Sequence, residues 1–167
     1  ADQVVIAAGL GSTRLAELLG SRVPLEASAG LLAHTDPRPG LLDRLALAPG
    51  ANIKQNPDGS LVTGASFAAT PDLEPTPAFG RELLASAARF FPAIGDASLD
   101  RVTLGMRVLP IDGFPIVGTL PGCPNAYVAA MHSGMTLAPL IGQLAADEIL
   151  VGTRAAPLAD FRPERFG

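Results

Sequence analysis

Apolar and polar positions change rhythm along this chain, and each change marks an element. Gln3-Val4-Val5-Ile6-Ala7-Ala8-Gly9 is a continuous apolar run that stops at glycine. That pattern predicts a strand buried on both faces, as in a parallel sheet. Residues 12–20, STRLAELLG, take up helical spacing, with Ser12 as the N-cap and Gly20 as the left-handed stop. Residues 23–35, VPLEASAGLLAHT, predict one or two strands with a bulge at Ala29-Gly30. Residues 45–67 predict two or three strands around Asn56-Pro57-Asp58-Gly59, a hairpin turn with proline second and glycine free to take positive φ. Thr76-Pro77 opens a helix with an apolar stripe of Phe79, Leu83, Leu84, Ala87, Phe90 and Phe91, closed by Pro92. Residues 99–120 read as two strands around the turn Asp112-Gly113, and residues 125–131, NAYVAAM, as another buried strand. A last helix buries Leu137, Leu140, Ile141, Leu144, Ala145 and Ile149, and the tail FRPERFG is irregular.

Strands therefore run together in the middle of the chain instead of alternating regularly with helices, which predicts an α+β fold with a mixed sheet. The outer ends, residues 3–20 and 125–151, differ: each is a strand feeding directly into a helix. They fit one layer, with the middle forming another.

Composition narrows the function. The 167 residues carry 12 Lys and Arg against 16 Asp and Glu, and no basic run occurs, which argues against nucleic acid. Aromatic residues are only 5%, so platforms for stacking bases are scarce as well. A single cysteine, Cys123, excludes an internal disulfide and fits a reducing, cytoplasmic setting. No membrane span is expected, because the most apolar 18-residue stretch, 134–151, carries Asp147 and Glu148. No signal peptide is visible. The chain enters an apolar strand at once from Ala1-Asp2-Gln3, which suggests a piece of a longer protein.

Three stretches carry chemistry. Gly9-Leu10-Gly11-Ser12-Thr13-Arg14 joins a strand to a helix and lacks the third glycine of a dinucleotide fingerprint. It reads either as a tight turn or as a close approach of backbone to a nucleotide. Met131-His132-Ser133-Gly134-Met135-Thr136-Leu137-Ala138-Pro139 is a second strand-to-helix corner. The amides of Ser133, Gly134, Met135 and Thr136 there would carry partial positive charge and favour an anion or a polarised carbonyl. The plain alternative is an ordinary cap, with Ser133 bonding a backbone N–H. Pro139, in the first turn or so, sacrifices little hydrogen bonding. Third, Arg107 stands inside the apolar strand Gly105-Met106-Arg107-Val108-Leu109-Pro110 and needs a carboxylate, from the protein or from a ligand. His34 reads as a surface turn histidine. With two histidines far apart and no cysteine cluster, no metal site is expected. G-x-S-x-G is absent, so Ser133 is not a hydrolase nucleophile.

Taken in order, these stretches resemble the C-terminal part of the FAD-dependent oxidoreductases related to D-amino-acid oxidase, glycine oxidase and sarcosine oxidase. QVVIAAGLGS resembles a late strand of their FAD domain, and NPDGSLVTGASF with the helix ending RFFPAI resembles the middle of their substrate domain. GMRVLPIDGFPIVG resembles their arginine-bearing strand and Asp-Gly turn, and NAYVAAMHSGMTLAPLIGQLAADEIL the return to the FAD domain. The resemblance implies four segments: 1–22 and 123–153 from the FAD-binding domain, 23–122 from the substrate domain, and 154–167 a tail. It implies that Ala8 and Gly9 approach the nucleotide half of FAD. Residues His132, Ser133, Gly134, Met135, Thr136 and Leu137 would line the flavin ring, and Arg107 would bind the carboxylate of a small amino-acid or amine substrate. Hydride transfer from the carbon next to the amine is the implied reaction. The family's N-terminal glycine-rich loop is absent, so a missing FAD-binding segment or subunit is the implied partner. Val108 and Leu109 separate Arg107 from Pro110, where glycine oxidases have an Arg-Pro pair. The position of Cys123, beyond the Asp-Gly turn, implies non-covalent FAD. The rival readings are a non-catalytic binding module that keeps the fold and, further off, a small complete nucleotide-binding enzyme.

Overall fold

The structure, a computed structural model, describes residues 1–64 and 74–167. Residues 65–73, which include the end of the predicted 45–67 strand region, lie outside the described residues. Its elements in chain order are β1 (Val4–Ile6), α1 (Gly11–Glu17), β2 (Leu25–Thr35), β3 (Ala46–Ala48), β4 (Ala51–Gln55), β5 (Leu61–Gly64), α2 (Pro77–Ala88), β6 (Leu99–Pro110), β7 (Ile116–Leu120), β8 (Cys123–Ala130) and α3 (Gly134–Val151). They form two compact units: residues 1–27 with 108–167, and residues 28–107.

In the first unit β8 is the central strand of a sheet ordered β1-β8-β7. It pairs in parallel with β1, Ile6 beside Val128, and antiparallel with β7, Ile116 beside Ala130. β7 falls within the stretch 23–122 that the resemblance assigns to the substrate domain, and it pairs here with β8. Side chains alternate across the sheet. Ile116, Leu120, Ala126, Val128 and Ala130 pack on one face with Ile6, Ala16 and Val23. Val117 and Tyr127 face the other side, against Ile141 and Ala145 of α3 and Leu158 of the tail.

Three expectations need correction here. Val4 and Val5 are 45% and 52% exposed, not buried on both faces, because β1 is an edge strand in this chain; the two-faced burial belongs to β8. Leu140 is 56% exposed. It stands about 100° around α3 from Ile141, off the narrow stripe that meets the sheet. Ser12 is not the N-cap of α1, which starts at Gly11; Gly20 does take the left-handed conformation, with φ +71°. By length and composition alone α3 is also long and apolar enough to cross a membrane. In this fold Leu137, Ile141, Leu144, Ala145 and Ile149 pack it on the sheet.

The tail is not irregular. Two 3-10 turns, Ala156–Phe161 and Pro163–Phe166, carry it across β7. Leu158 and Phe161 pack on the Tyr127 face, and Phe166 packs on the Ile116 face. The crossing passes Gly118, where an added Cβ would lie 3.0 Å from Cδ of Pro163 and 3.3 Å from Arg162. Only glycine leaves that room.

The second unit is built on a sheet ordered β3-β4-β5-β2-β6, antiparallel at β3/β4, β4/β5 and β5/β2. The strands β2 and β6 run from one unit into the other. The hairpin turn forms as its residues demand: Gly59 has φ +87° and donates its N–H to the Asn56 carbonyl at 2.9 Å. Thr76 caps α2 by accepting the Phe79 N–H at 3.3 Å, with Pro77 in the first turn. Leu83 and Leu84 then pack on Leu31 and Ala33. Phe90 falls past the helix end at Ala88 and is exposed, so it leaves the predicted stripe.

Candidate functional site

Three turns gather at one end of the β1-β8-β7 sheet. Residues 7–10 follow β1, and residues 131–133 follow β8, at the carboxyl ends of two parallel strands. Residues 111–115 precede β7, whose first residue, Ile116, sits beside Ala130, the last residue of β8. Ligands of open sheets collect at such carboxyl ends, where helices begin.

The corner after β8 is strained and open. Ser133 adopts φ +56°, ψ +32°, and among the described residues it alone of the non-glycines has positive φ. Such a conformation costs about 1–3 kcal/mol and persists where the surroundings impose it. The side chain does not cap the helix, so the ordinary-cap alternative fails. Its Oγ lies 2.7 Å from Nδ1 of His132 instead. The Ser133 carbonyl accepts the Leu137 N–H at 3.0 Å, the first rung of α3. The amides of Gly134, Met135 and Thr136 therefore precede the first rung, on exposed residues at the positive end of the helix. Leu137 turns inward onto the Tyr127 cluster. Pro139 is the sixth residue of α3, not a first-turn residue, so α3 lacks the rung back to the Met135 carbonyl.

The corner after β1 is tighter. Gly9 has φ +58°. The buried Ser12 hydroxyl accepts the Ala8 N–H at 3.2 Å, and the Ala8 carbonyl accepts the Gly11 N–H at 3.0 Å. Ala8 thus commits its polar backbone to the turn and shows its methyl outward. Ser12, expected as a cap, is the residue that locks this turn.

Arg107 belongs to the second unit. It is half-buried on β6, and its Nη1 donates to the Ala29 carbonyl at 3.0 Å. The guanidinium lies over Gly30: a Cβ there would be 2.6 Å from Cζ and Nη2. Gly30 lies within β2, which runs from Leu25 to Thr35. It makes the bed of the arginine, a signal that only the pairing of β2 with β6 reveals. His34 is likewise no surface turn residue. It is half-buried in β2, with Nε2 2.9 Å from Oγ1 of Thr103. Burial, followed by the charge of Arg101, holds its pKa below the ordinary value.

At the other end of the first sheet lies a cluster that sequence reasoning missed. Glu148 and Arg162 form a buried ion pair, with side chains 7% and 8% exposed. The Tyr127 hydroxyl donates to the same carboxylate at 2.6 Å, and the Ala155 N–H at 2.5 Å. Burial opposes the charge on Glu148, but the Arg162, Tyr127 and Ala155 hydrogen bonds outweigh it and hold the carboxyl at about 2. Burial raises the Tyr127 pKa, and Glu148 raises it further. Cys123 begins β8 at this far end, its Sγ 3.3 Å from Oδ1 of Asn125. The eight residues of β8 put it about 25 Å from the Ser133 corner.

Parallel strands whose carboxyl-end turns open onto an uncapped helix, in a chain with a separate antiparallel-sheet unit, define a class: a nucleotide-type cofactor layer joined to a second sheet unit. Comparison with known proteins makes the class specific. Residues 1–148 match the model of the FAD dependent oxidoreductase family, and the chain belongs to that family. It is 32% identical over 165 residues to one of the subunits of opine oxidase from Agrobacterium tumefaciens (strain Ach5), covering 98% of this chain and 43% of that protein. It is 30% identical over 166 residues to glycine oxidase of Pseudomonas putida, covering 98% and 45%. Among solved structures, glycine oxidase from Geobacillus kaustophilus superposes with a TM-score of 0.82 at 29% identity, over 97% of this chain and 45% of that one. The chain thus spans less than half the length of these relatives.

Proposed function

We propose that this chain is the C-terminal portion of an FAD-dependent oxidoreductase that oxidises the C–N bond of an amino acid or amine. It works with an N-terminal FAD-binding segment or subunit. The observation that carries the reading is the left-handed, uncapped Ser133 at the carboxyl end of the parallel strands. The residues there fit a flavin: Gly134 has open space where a side chain would stand, and Met135 and Thr136 present the first-turn amides. When bound, FAD supplies the two-electron acceptor for a hydride from the carbon next to the amine. The helix start supplies positive potential where the ring gains negative charge. Ala8 and Gly9 approach the nucleotide half. Arg107, bedded on Gly30, binds the substrate carboxylate. The distance of Cys123 from the Ser133 corner supports non-covalent attachment.

A partner segment is supported by the exposed side of the first unit. Val4, Val5, Ala8, Leu15, Leu18 and Leu19 line an apolar groove of about 490 Å³ beside the open edge of β1. Such an edge is a template for a further strand. The test is to prepare the chain with its N-terminal segment and record the visible spectrum. A flavin absorbance band is expected, and a colourless complex overturns the proposal. In the yellow complex, Arg107→Ala should raise KM for a carboxylate substrate far more than it lowers kcat.

A further inference from the structure

The tail after α3 lies beyond the residues that the family model matches, though within the stretch aligned with the relatives, and it reaches the same end of the sheet as the Ser133 corner. It does so through Arg165. The Nε of Arg165 donates to Oδ2 of Asp112 at 2.7 Å, and its Nη2 donates to Oδ1 at 3.1 Å. The same Nη2 donates to the Phe114 carbonyl at 3.0 Å, while Nη1 donates to the Arg162 carbonyl at 3.0 Å. The guanidinium also stacks over the Phe166 ring, 4.4 Å from its centroid, and Phe166 is anchored on the Ile116 face of the sheet. This is bidentate, geometry-specific recognition that a lysine does not reproduce.

What Arg165 grips is the turn between β6 and β7. That turn is already closed by two local bonds, Gly113 N–H to the Pro110 carbonyl at 2.9 Å and Phe114 N–H to Oδ1 of Asp112 at 3.1 Å. Local bonds fix its shape but not its position. Longer-range bonds set its place: among the described residues, the Ile111 N–H to the Pro24 carbonyl at 3.3 Å, and the three bonds from Arg165. The turn leads into Ile116, the neighbour of Ala130, and Ala130 is followed directly by Met131-His132-Ser133. Ile111 and Phe114 are large apolar residues left exposed on it.

We infer that Arg165 is a positioning residue that holds the 111–115 turn as a wall of the flavin-ring site, acting from the chain end through Asp112. This rests on the functional reading above. The wall itself lies within the residues the family model matches, its holder Arg165 lies beyond them, and its position depends on the tail crossing β7 at Gly118.

The test uses the chain with its N-terminal segment and three variants: Arg165→Ala, Asp112→Ala and the double variant, with Arg165→Lys as a folding control. Hydrogen exchange at the amides of residues 111–115 reads the grip without flavin. It should quicken at least about tenfold in each alanine variant, while β8 amides keep their protection. The FAD dissociation constant, read by flavin fluorescence, should rise about tenfold in each single variant. The double variant should be no worse, because two members of one pair are not additive. Arg165→Lys should restore little of the affinity. Failure of the unsubstituted complex to bind FAD overturns the functional reading and this role with it. FAD binding in the parent with unchanged affinity in both single variants overturns the role of Arg165 alone, as does a double variant that multiplies the two losses.

Discussion

Glu148→Gln removes one charge from the buried cluster and keeps its shape. The native carboxylate accepts four hydrogen bonds: two from Arg162, one from the Tyr127 hydroxyl and one from the Ala155 N–H. Substitution leaves the Arg162 guanidinium buried and charged with no counter-charge at that position, which typically costs about 3–5 kcal/mol. A second route gives the same size. The carboxyl titrates at about 2 in the fold against an ordinary 4.5. At about 1.4 kcal/mol for each pH step, that difference is worth about 3 kcal/mol. The sign follows from proton binding. As pH falls, the unfolded chain takes up the proton first, so the stabilisation is full above pH 4.5 and is lost between 4.5 and about 2. Urea denaturation followed by circular dichroism should therefore place Glu148→Gln about 3 kcal/mol below the parent at pH 7. Between pH 5 and 3 the parent should lose stability more steeply than the variant. Tyr127 is the chain's one tyrosine, so its near-ultraviolet absorbance reports release of the cluster directly. A variant within about 1 kcal/mol of the parent, the worth of a surface pair, would refute the reasoning, and so would parallel pH profiles.

Gly30→Ala puts a methyl against the Arg107 guanidinium, the far end of a flexible side chain. KM for a carboxylate substrate should rise about tenfold with the melting temperature nearly unchanged, and a steady-state titration checks both kcat and KM. Ser133→Gly removes the cost of a left-handed serine and should stabilise the protein by about 1 kcal/mol in thermal unfolding, whereas Ser133→Ala keeps the strain and should not. The pKa of His34 is depressed in the fold, so the stability it contributes is full above its ordinary 6.5 and falls as pH drops below that value. His34→Gln should flatten that part of the pH–stability curve.

Elements with a local cause were legible in the sequence. The Asn56–Gly59 turn and the Thr76-Pro77 helix start formed as read, because a positive-φ glycine and a threonine cap act within a few residues. The Ser133 corner was readable as a strand-to-helix turn, but its left-handed backbone was not, since nothing in His-Ser-Gly dictates which residue takes the strain. Features that depend on distant partners stayed hidden. The close approach at Gly30 stayed hidden because its cause, Arg107, lies 77 residues away on another strand. The tail looked irregular because its order comes from Glu148, Asp112 and the gap at Gly118, not from periodicity. The apolar run of β1 read as doubly buried because composition does not show which strand lies at a sheet edge, and here the outer edge of β1 is open.

The two ends of α3 are built differently. Its C-terminal end is finished: Gly152 takes the left-handed stop with φ +78°, and Glu148 is saturated by Arg162, Tyr127 and Ala155. Its N-terminal end begins at a strained serine, carries no side-chain cap and has a proline interrupting the second turn. A helix with both ends so open would fray, because its first-turn amides gain nothing from the protein. Anchoring the far end lets the near end stay uncapped without unwinding, so those amides remain available to a ligand. The tail serves both ends of this arrangement. Arg162 secures the anchor, and three residues later Arg165 reaches the turn beside the open corner. A chain cut after residue 148 would keep every residue of the family match and lose both grips.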